Sequence, residues 1–311
     1  LMALSQTCKA HAYDEQSLIL LIENEVTRHH HHVSTMEEAI HFWRQVHRYP
    51  LCKQWLERDH DRSIVATRDM IRTVVRYGYD VMLVKMLRPV PESMRLRLVT
   101  LGNVYEESVL HCAVDSENVD SLRVILAIFP ASQLLQVVCR RDHQDGQSLL
   151  HHVARFGNFE ALKNIVALLP PTADHEQFVN QDDNGRTLLH CAASSTKCNQ
   201  FDSIRLILSL VPEEHRLQFV NMEDHRGNIA LHSAARSGCA ESIKLMLSIF
   251  PESEHLHVVC KPDERGMTVL HCAANSCNPE SIKVLLDAVP ESQHLEVVSV
   301  PDEQGRTALH S

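Results

Sequence analysis

The stretch "DERGMTVLHCAANSCNPE", residues 263–280, decides the fold, because its central letters recur along the chain. From residue 107 onward the copies read "ESVLHCAV", "QSLLHHVA", "RTLLHCAA", "NIALHSAA", "MTVLHCAA" and "RTALHS". Their histidines are spaced 40, 39, 42, 39 and 39 residues apart. A fixed period of this length predicts a solenoid of stacked repeats. The six signature histidines are His111, His151, His190, His232, His271 and His310.

Each unit is predicted to be a turn followed by two helices. The pattern Asp-x-x-Gly, as in residues 182–185, is a turn signal, since glycine tolerates positive φ and aspartate hydrogen-bonds the nearby backbone. A Thr or Ser two residues after the glycine, such as Thr187, is placed to cap the first helix. The segment "ESIKLMLSIF" and its copies predict a second, amphipathic helix whose apolar stripe needs a neighbouring unit to cover it. A proline such as Pro251 ends that helix, and "ESEHLHVV" beyond it predicts one extra short helical turn.

In these residues the chain resembles the ankyrin-repeat family, whose unit is a β-turn finger followed by two antiparallel helices with a T-P-L-H-x-A-A signature. The resemblance covers residues 100–311 well and 61–100 weakly. It implies an all-α ankyrin-type solenoid in which the signature histidines stabilise turns and link adjacent repeats through hydrogen bonds. No proline precedes any "LH" pair here, and the unit runs 39–42 residues rather than about 33. The long unit is similar to ankyrin arrays in effectors that intracellular bacteria inject into host cells.

The repeats predict two regions. Residues 1–60 are expected to form an N-terminal helical cap, since such arrays need a cover at their open end; the remnant of a separate functional domain or a docking motif is the alternative. Residues 61–311 are expected to form the array, with a degenerate repeat at about 61–100, clear repeats at about 101–300 and a truncated repeat at 301–311. Because the sequence stops inside a unit, we expect a longer chain, and an activity beyond residue 311 stays open.

The charge of the chain is unevenly distributed. The formal net charge is −10, with +2 in residues 1–100 and −12 in residues 101–311. An acidic surface repels phosphates, so nucleic acid is not expected as a partner. No apolar run reaches the roughly 18 residues of a membrane span. Ten cysteines without a CxxC pair favour free thiols in a reducing, cytosolic compartment over a disulfide scaffold.

Two segments have the residue types of a metal site. The first contains His271, Cys272 and Cys277, which suggest a metal site or a Cys/His nucleophile. Cys272 stands where other repeats also have cysteine, which argues against a special metal site. His271 and Cys272 are adjacent on a helix and so point apart, which argues against a nucleophile pair. Cys277 occupies the turn position that Gly157 and Gly238 fill, which favours an exposed, oxidisable thiol. The run His29–His32 can bind transition metals, although a solvated loop or helix start is the simpler interpretation. We therefore expect no metal, no cofactor and no catalytic residue.

The resemblance implies a non-catalytic module that binds a protein partner through its finger tips and concave groove. Mixed, acid-leaning chemistry there predicts a partner with a basic surface, and a host protein is one candidate. We expect a monomer, cytosolic or secreted into the cytoplasm or nucleus of a host cell. The alternatives are an array attached to an enzymatic or metal-binding region lying mostly outside residues 1–311, and a structural spacer. The residues expected at the interface are Gln144, Asp145, Gln147, Arg155, Asp183, Asn184, Arg186, Ser194, His225, Arg226, Asn228, Arg236, Glu264, Arg265, Met267 and Asn275.

Overall fold

The structure, a computed structural model, is helical throughout the part that it describes. The described residues are 71–72, 74–76, 83, 87, 92–100, 108–116, 119–142, 145–169 and 176–310. Within these ranges there are α-helices and short 3₁₀ turns, with isolated β-bridges but no longer strand, and the all-α prediction is confirmed. The predicted cap at residues 1–60, the His29–His32 run and Gln144 lie outside the described residues.

Three helices recur in each unit. A helix that precedes the first complete unit is α1 (Glu92–Thr100). The first unit has α2 (Val109–Asp115), α3 (Val119–Ala127) and α4 (Ala131–Cys139), and the second has α5 (Leu149–Arg155), α6 (Phe159–Leu168) and α7 (Glu176–Val179). The third has α8 (Leu188–Ala193), α9 (Gln200–Ser209) and α10 (Glu213–Val220), and the fourth has α11 (Ala230–Ser237), α12 (Ala240–Leu247) and, after a 3₁₀ turn at Glu252–Glu254, α13 (His255–Val259). The fifth has α14 (Val269–Asn275), α15 (Pro279–Asp287), a 3₁₀ turn at Glu291–Gln293 and α16 (His294–Ser299), and a 3₁₀ turn at Ala308–His310 follows.

The first helices begin at the residues predicted to cap them. In four units the side-chain oxygen of a Ser or Thr accepts the N–H of the signature histidine three residues later, which satisfies a donor that the helix itself leaves unpaired. The capping residues are Ser108, Ser148, Thr187 and Thr268. In the fourth unit Ile229 stands at this position and has no side-chain oxygen, so α11 lacks that bond.

Like helices stack on like helices from unit to unit. The first helices α5, α8, α11 and α14 pack in sequence, and so do the second helices α3, α6, α9, α12 and α15. Alanines at the ends of the first helices are fully buried, as at Ala192, Ala193, Ala234 and Ala235, and their small side chains allow the neighbouring backbones to approach closely. The apolar stripes of the second helices complete one core that is continuous through the described units. No helix among the described residues combines the length and the apolar character that crossing a bilayer requires.

The third helix is the part of the unit that makes it long. In three units a basic side chain at its start folds back to donate hydrogen bonds to the last carbonyls of the second helix. Arg216 Nε donates to Leu208 O and Val211 O, both at 3.0 Å. His255 Nε2 lies 3.1 and 3.2 Å from Leu247 O and Phe250 O, and His294 Nε2 lies 2.9 Å from both Leu286 O and Val289 O. The sequence predicted the extra turn but not this capping role.

Candidate interaction surface

The signature histidines connect the cap of one helix to the backbone of the next unit. Thr187 N–H donates to His190 Nδ1 at 3.2 Å, so Nδ1 is an acceptor and the neutral ring carries its proton on Nε2. That Nε2–H donates to Asn228 O, 38 residues further along, at 2.9 Å. Burial lowers the pKa of His190, which favours this neutral form. One imidazole therefore joins two repeats without carrying a charge.

The same link recurs with different acceptors in three other units. Equivalent bonds join Nε2 of His151, His232 and His271 to Asn180 O at 3.2 Å, Lys261 O at 3.0 Å and Arg306 O at 3.1 Å. His310 makes only the local contact, at 3.0 Å to Thr307, and is exposed.

His111 departs from the pattern. Its Nδ1 contacts Ser108 Oγ at 2.7 Å, but its buried Nε2 has no hydrogen-bond partner within the described part of the chain. The finger that follows is one residue longer than the others. In it, Asp142 N–H donates to Gln147 O, five residues further along, at 2.8 Å. The edge of the His111 ring faces His152, whose Nε2 lies 2.8 Å from Asp115 Oδ1. A signature histidine that repeats in the sequence therefore does not always form the inter-repeat hydrogen bond.

His271, Cys272 and Cys277 do not converge on a common point. Both ring nitrogens of His271 are already used, Nδ1 with Thr268 and Nε2 with Arg306 O, while Cys272 is fully buried. Cys277 lies exposed in the turn with φ 57°, the left-handed conformation that glycine usually provides. In the described ranges no group of three or more His, Cys, Asp or Glu side chains has metal-site geometry.

The described cysteines are free thiols, and several are held in the neutral form. Burial raises the pKa of Cys191 to about 12, an effect that nearby Arg186 and Arg155 oppose. Burial also raises the pKa of Cys139 to about 11. A thiol with so high a pKa is a poor nucleophile, so these residues pack as small apolar side chains.

The finger tips stand at the surface in register with one another. Each finger is a turn around its aspartate: Asp182 Oδ1 accepts the N–H groups of Asn184 at 2.9 Å and Arg186 at 2.8 Å. Backbone hydrogen bonds then join each finger to the next. They run from Asp183 N to Asp145 O at 2.7 Å, from His225 N to Asn184 O at 2.9 Å, from Glu264 N to Arg226 O at 2.8 Å, and from Glu303 N to Arg265 O at 3.0 Å.

The predicted interface residues fall into two groups. Most of the finger-tip and helix-end side chains are exposed: Arg155, Asp183, Asn184, Ser194, His225, Arg226, Arg236, Glu264, Arg265 and Asn275. Asp145, Arg186 and Met267 are half-buried; Met267 packs against the core, and Arg186 pairs with Asp182 at 2.9 Å.

Two residues predicted at the interface are buried, so the prediction is wrong for them. Gln147 is 2% exposed and Asn228 4% exposed, because each side chain turns inward to a finger aspartate. Gln147 Nε2 donates to Asp182 at 3.2 Å, and Asn228 Nδ2 to Asp224 at 3.2 Å. Neither side chain is available to a partner, and both support the fingers instead.

One exposed residue was missed by the sequence reasoning. Phe156 follows Arg155 at the end of α5 and is 43% exposed, with its ring centroid 4.5 Å from that of His152. Large aromatic side chains at a surface are frequent anchors of protein interfaces. Its position, next to a residue already predicted at the interface, was the available signal.

The charge of this surface differs from the charge of the chain. The predicted interface residues that the structure describes include five arginines and three carboxylates, a balance of +2. The second and third helices between residues 200 and 299, counted together with the 3₁₀ turns Glu252–Glu254 and Glu291–Gln293, carry ten carboxylates and four Lys or Arg, a balance of −6. Counted by these residues alone, the predicted interface is net basic instead of acid-leaning.

Comparisons with known proteins agree with this architecture. Residues 129–215 match the family model described as "Ankyrin repeats (3 copies)", and residues 231–286 match "Ankyrin repeats (many copies)". No curated protein matches the chain. A similar solved structure is the crystal structure of the ankyrin repeat domain of Bcl-3, described as a unique member of the IkappaB protein family. The two sequences are 17% identical and the TM-score is 0.52. The match covers 77% of this chain and 92% of the Bcl-3 chain. At this identity the likeness establishes the fold alone, an ankyrin-type solenoid, and the family matches show that residues 129–215 and 231–286 are similar to ankyrin repeats.

Proposed function

We propose that this array is a non-catalytic module that binds a protein partner. Ankyrin repeats generally mediate protein–protein interaction. We define the contact surface as the exposed and half-buried predicted interface residues together with Phe156. Its members are Asp145, Arg155, Phe156, Asp183, Asn184, Arg186, Ser194, His225, Arg226, Arg236, Glu264, Arg265, Met267 and Asn275.

The proposal rests on one observation: within each unit, some side chains hold the repeats together and others are exposed at the surface. The signature histidine and its capping residue are buried between repeats, as at Thr187 and His190. The finger-tip side chains are exposed, yet their backbone is fixed by hydrogen bonds to the neighbouring fingers, as between His225 N and Asn184 O. A surface held rigid before binding loses less entropy on association. The contact surface thus combines variable chemistry with a fixed frame, which suits recognition.

The test is affinity purification with two matched quadruple variants. The first replaces the finger-tip residues His225, Arg226, Glu264 and Arg265 with alanine. The second, as control, replaces four residues of the second helices with alanine: Glu241, Lys244, Glu280 and Lys283.

We expect both variants to keep the wild-type circular dichroism, because all eight side chains are on the surface. The wild type and the control should recover a reproducible partner, and the finger-tip variant should lose it. A partner that the finger-tip variant retained at wild-type yield would show that the contact surface is wrongly assigned.

The repeat length supports a narrower proposal about where the module acts. Units of 39–42 residues resemble those of effectors translocated into host cells, so we propose that role, with the host cytosol or nucleus as the place of binding. A translocation assay with a reporter fusion tests it, and retention of the fusion in the bacterium would contradict it. The metalloprotein alternative has its own test: stoichiometric zinc lost on His271→Ala would contradict the structural role of that ring.

A further inference from the structure

Two arginines occupy equivalent positions on the contact surface, two repeats apart. Arg155 ends α5, and Arg236 lies in the last turn of α11. Arg236 Nη2 donates to Cys272 Sγ of the next repeat at 3.3 Å and to Asn228 Oδ1 at 3.4 Å. Arg155 likewise lies near the cysteine of its next repeat, where its charge opposes the rise in the pKa of Cys191 that burial causes. The Arg236 guanidinium is thus positioned in part by the repeat that follows it.

Neither guanidinium is paired with a carboxylate among the residues that the structure describes. Two other arginines of the surface differ, since Arg186 is bound to Asp182 and Arg226 lies 3.9 Å from Glu264. A guanidinium has five N–H donors in a planar fork that fits a carboxylate. Arg155 and Arg236, both exposed, therefore keep donors for a carboxylate from outside the chain.

The spacing of the two arginines sets the length of segment that reaches both. One helix, α8, lies between α5 and α11 and packs against each. Packed helices lie about 8–10 Å apart, so the two helix ends are separated by roughly 16–20 Å. An extended chain advances about 3.3 Å per residue, and five or six residues span about this distance. Ser194, small and exposed, lies between the arginines, and Phe156 lies beside the first.

The electrostatic asymmetry of the array favours an acidic segment on this side. The contact surface has a balance of +2, while the second and third helices between residues 200 and 299, counted together with the 3₁₀ turns Glu252–Glu254 and Glu291–Gln293, have −6. The field thus attracts an acidic chain to the arginines and repels it from the other helices. A nucleic acid, with a phosphate at every nucleotide, would meet Asp183 and Glu264 between sparse cations, so the surface suits spaced carboxylates better.

We infer that the contact surface binds an extended acidic polypeptide segment. Two carboxylates about five or six residues apart would engage Arg155 and Arg236, and an apolar side chain near the first would rest on Phe156. This inference rests on the proposed function and specifies the chemistry of the partner, replacing the basic partner expected from the sequence.

The inference is tested with a fluorescein-labelled glutamate-rich peptide of about twelve residues, long enough to span both arginines when extended. Binding is measured by fluorescence anisotropy against a peptide with lysine in place of each glutamate and a single-stranded oligonucleotide of equal charge. The variants are R155Q/R236Q and, as control, K244Q/K283Q, which removes the same two positive charges from the second helices.

We expect the glutamate peptide to bind best, and R155Q/R236Q to weaken its binding by about tenfold or more, within the range for charged hydrogen bonds. The control should change it by less than about threefold, as for exposed charges. Equal weakening in both variants, tighter binding of the lysine peptide or the oligonucleotide, or no binding of the glutamate peptide would overturn the inference. Loss of the captured partner by the finger-tip variant alongside any of these results would leave the proposed function intact.

Discussion

Acidification is expected to unfold the array, because its buried signature histidines must stay neutral to fit between repeats. His232 is 0% exposed, and burial lowers its pKa to about 4; the hydrogen bond to Lys261 O and the charge of Asp263 oppose this effect, and the charges of Arg236 and Lys261 reinforce it. Burial also lowers the pKa of His111 to about 4, and lowers the pKa values of His151 and His190. In the unfolded chain each of these histidines has the ordinary pKa of about 6.5.

The size of the effect follows from these pKa values. Above about pH 6.5 both states hold His232 neutral, and its protonation does not affect the free energy of unfolding. Below that pH the unfolded chain takes up a proton that the folded chain refuses, so the free energy of unfolding falls by about 1.4 kcal/mol per pH unit. From 6.5 to about 4 this amounts to about 3 kcal/mol for His232 alone. With His111 added, whose pKa is also lowered to about 4, the loss is about 6 kcal/mol, within the 5–15 kcal/mol that stabilises a typical domain.

The assay is urea denaturation followed by circular dichroism at several pH values between about 7.5 and 5. The wild-type free energy of unfolding should fall steeply through this interval. In His232→Gln the value at neutral pH is lower, but its slope against pH should be shallower by about 1.4 kcal/mol per unit. The control is His225→Gln, which removes the side chain of an exposed finger-tip histidine.

Two results would refute this account of the signature histidines. One is a wild-type free energy of unfolding that stays level between about pH 6.5 and 5. The other is a His232→Gln slope equal to that of the wild type, which would mean that the ring already takes up its proton in the folded chain.

Three further predictions use the same denaturation assay. Gly305 has φ 74° and open space around it, so Gly305→Ala should lower the free energy of unfolding by about 1 kcal/mol. Gly185 has φ 76°, and a Cβ added there would lie 2.7 Å from the backbone N of His225. Gly185→Ala should therefore lower the free energy of unfolding by at least about 1 kcal/mol more. Equal losses would contradict the packing of the fingers. Cys277→Gly should raise the free energy of unfolding by up to about 1 kcal/mol, because glycine adopts the left-handed conformation of this position without strain. Cys198 is an exposed cysteine without positive φ, so an equal gain in Cys198→Gly would contradict that explanation. Thr187→Ala should cost about 1 kcal/mol more than Thr187→Ser, because both lose a buried methyl group and only serine keeps the capping oxygen; equal costs would show that the cap is not responsible.

The local features of the repeat were predictable from the sequence because they depend on neighbours in the chain. A capping Thr and the aspartate of a turn act within a few residues, and the structure has both at the expected places, as at Thr187 and Asp182. The finger that follows His111 is one residue longer than the rest, and among the described residues that ring makes no inter-repeat bond. The count of residues was visible in the sequence, but the bonding that results from it was not.

The direction of a side chain was less predictable than its position. Gln147 and Asn228 follow the finger glycine, where the family places variable contact residues, yet both side chains turn inward to a carboxylate. The distribution of charge was hidden for a related reason. A net charge summed over residues 101–311 does not distinguish Arg155 and Arg236 on one side from the carboxylates of the second and third helices on the other.

The length of the unit and the charge of the contact surface have a common origin in the third helix. This helix is the segment after the proline that lengthens the repeat, and a basic side chain fixes it by capping the second helix, as Arg216 does. The residues around that cap are acidic and exposed, including Glu213, Glu214, Glu252 and Glu254. Because this segment carries exposed carboxylates, part of the negative charge of a chain whose net charge is −10 lies away from Arg155 and Arg236. The feature that departs most from the short ankyrin unit is therefore the one that separates an acidic layer from the surface proposed to bind an acidic partner.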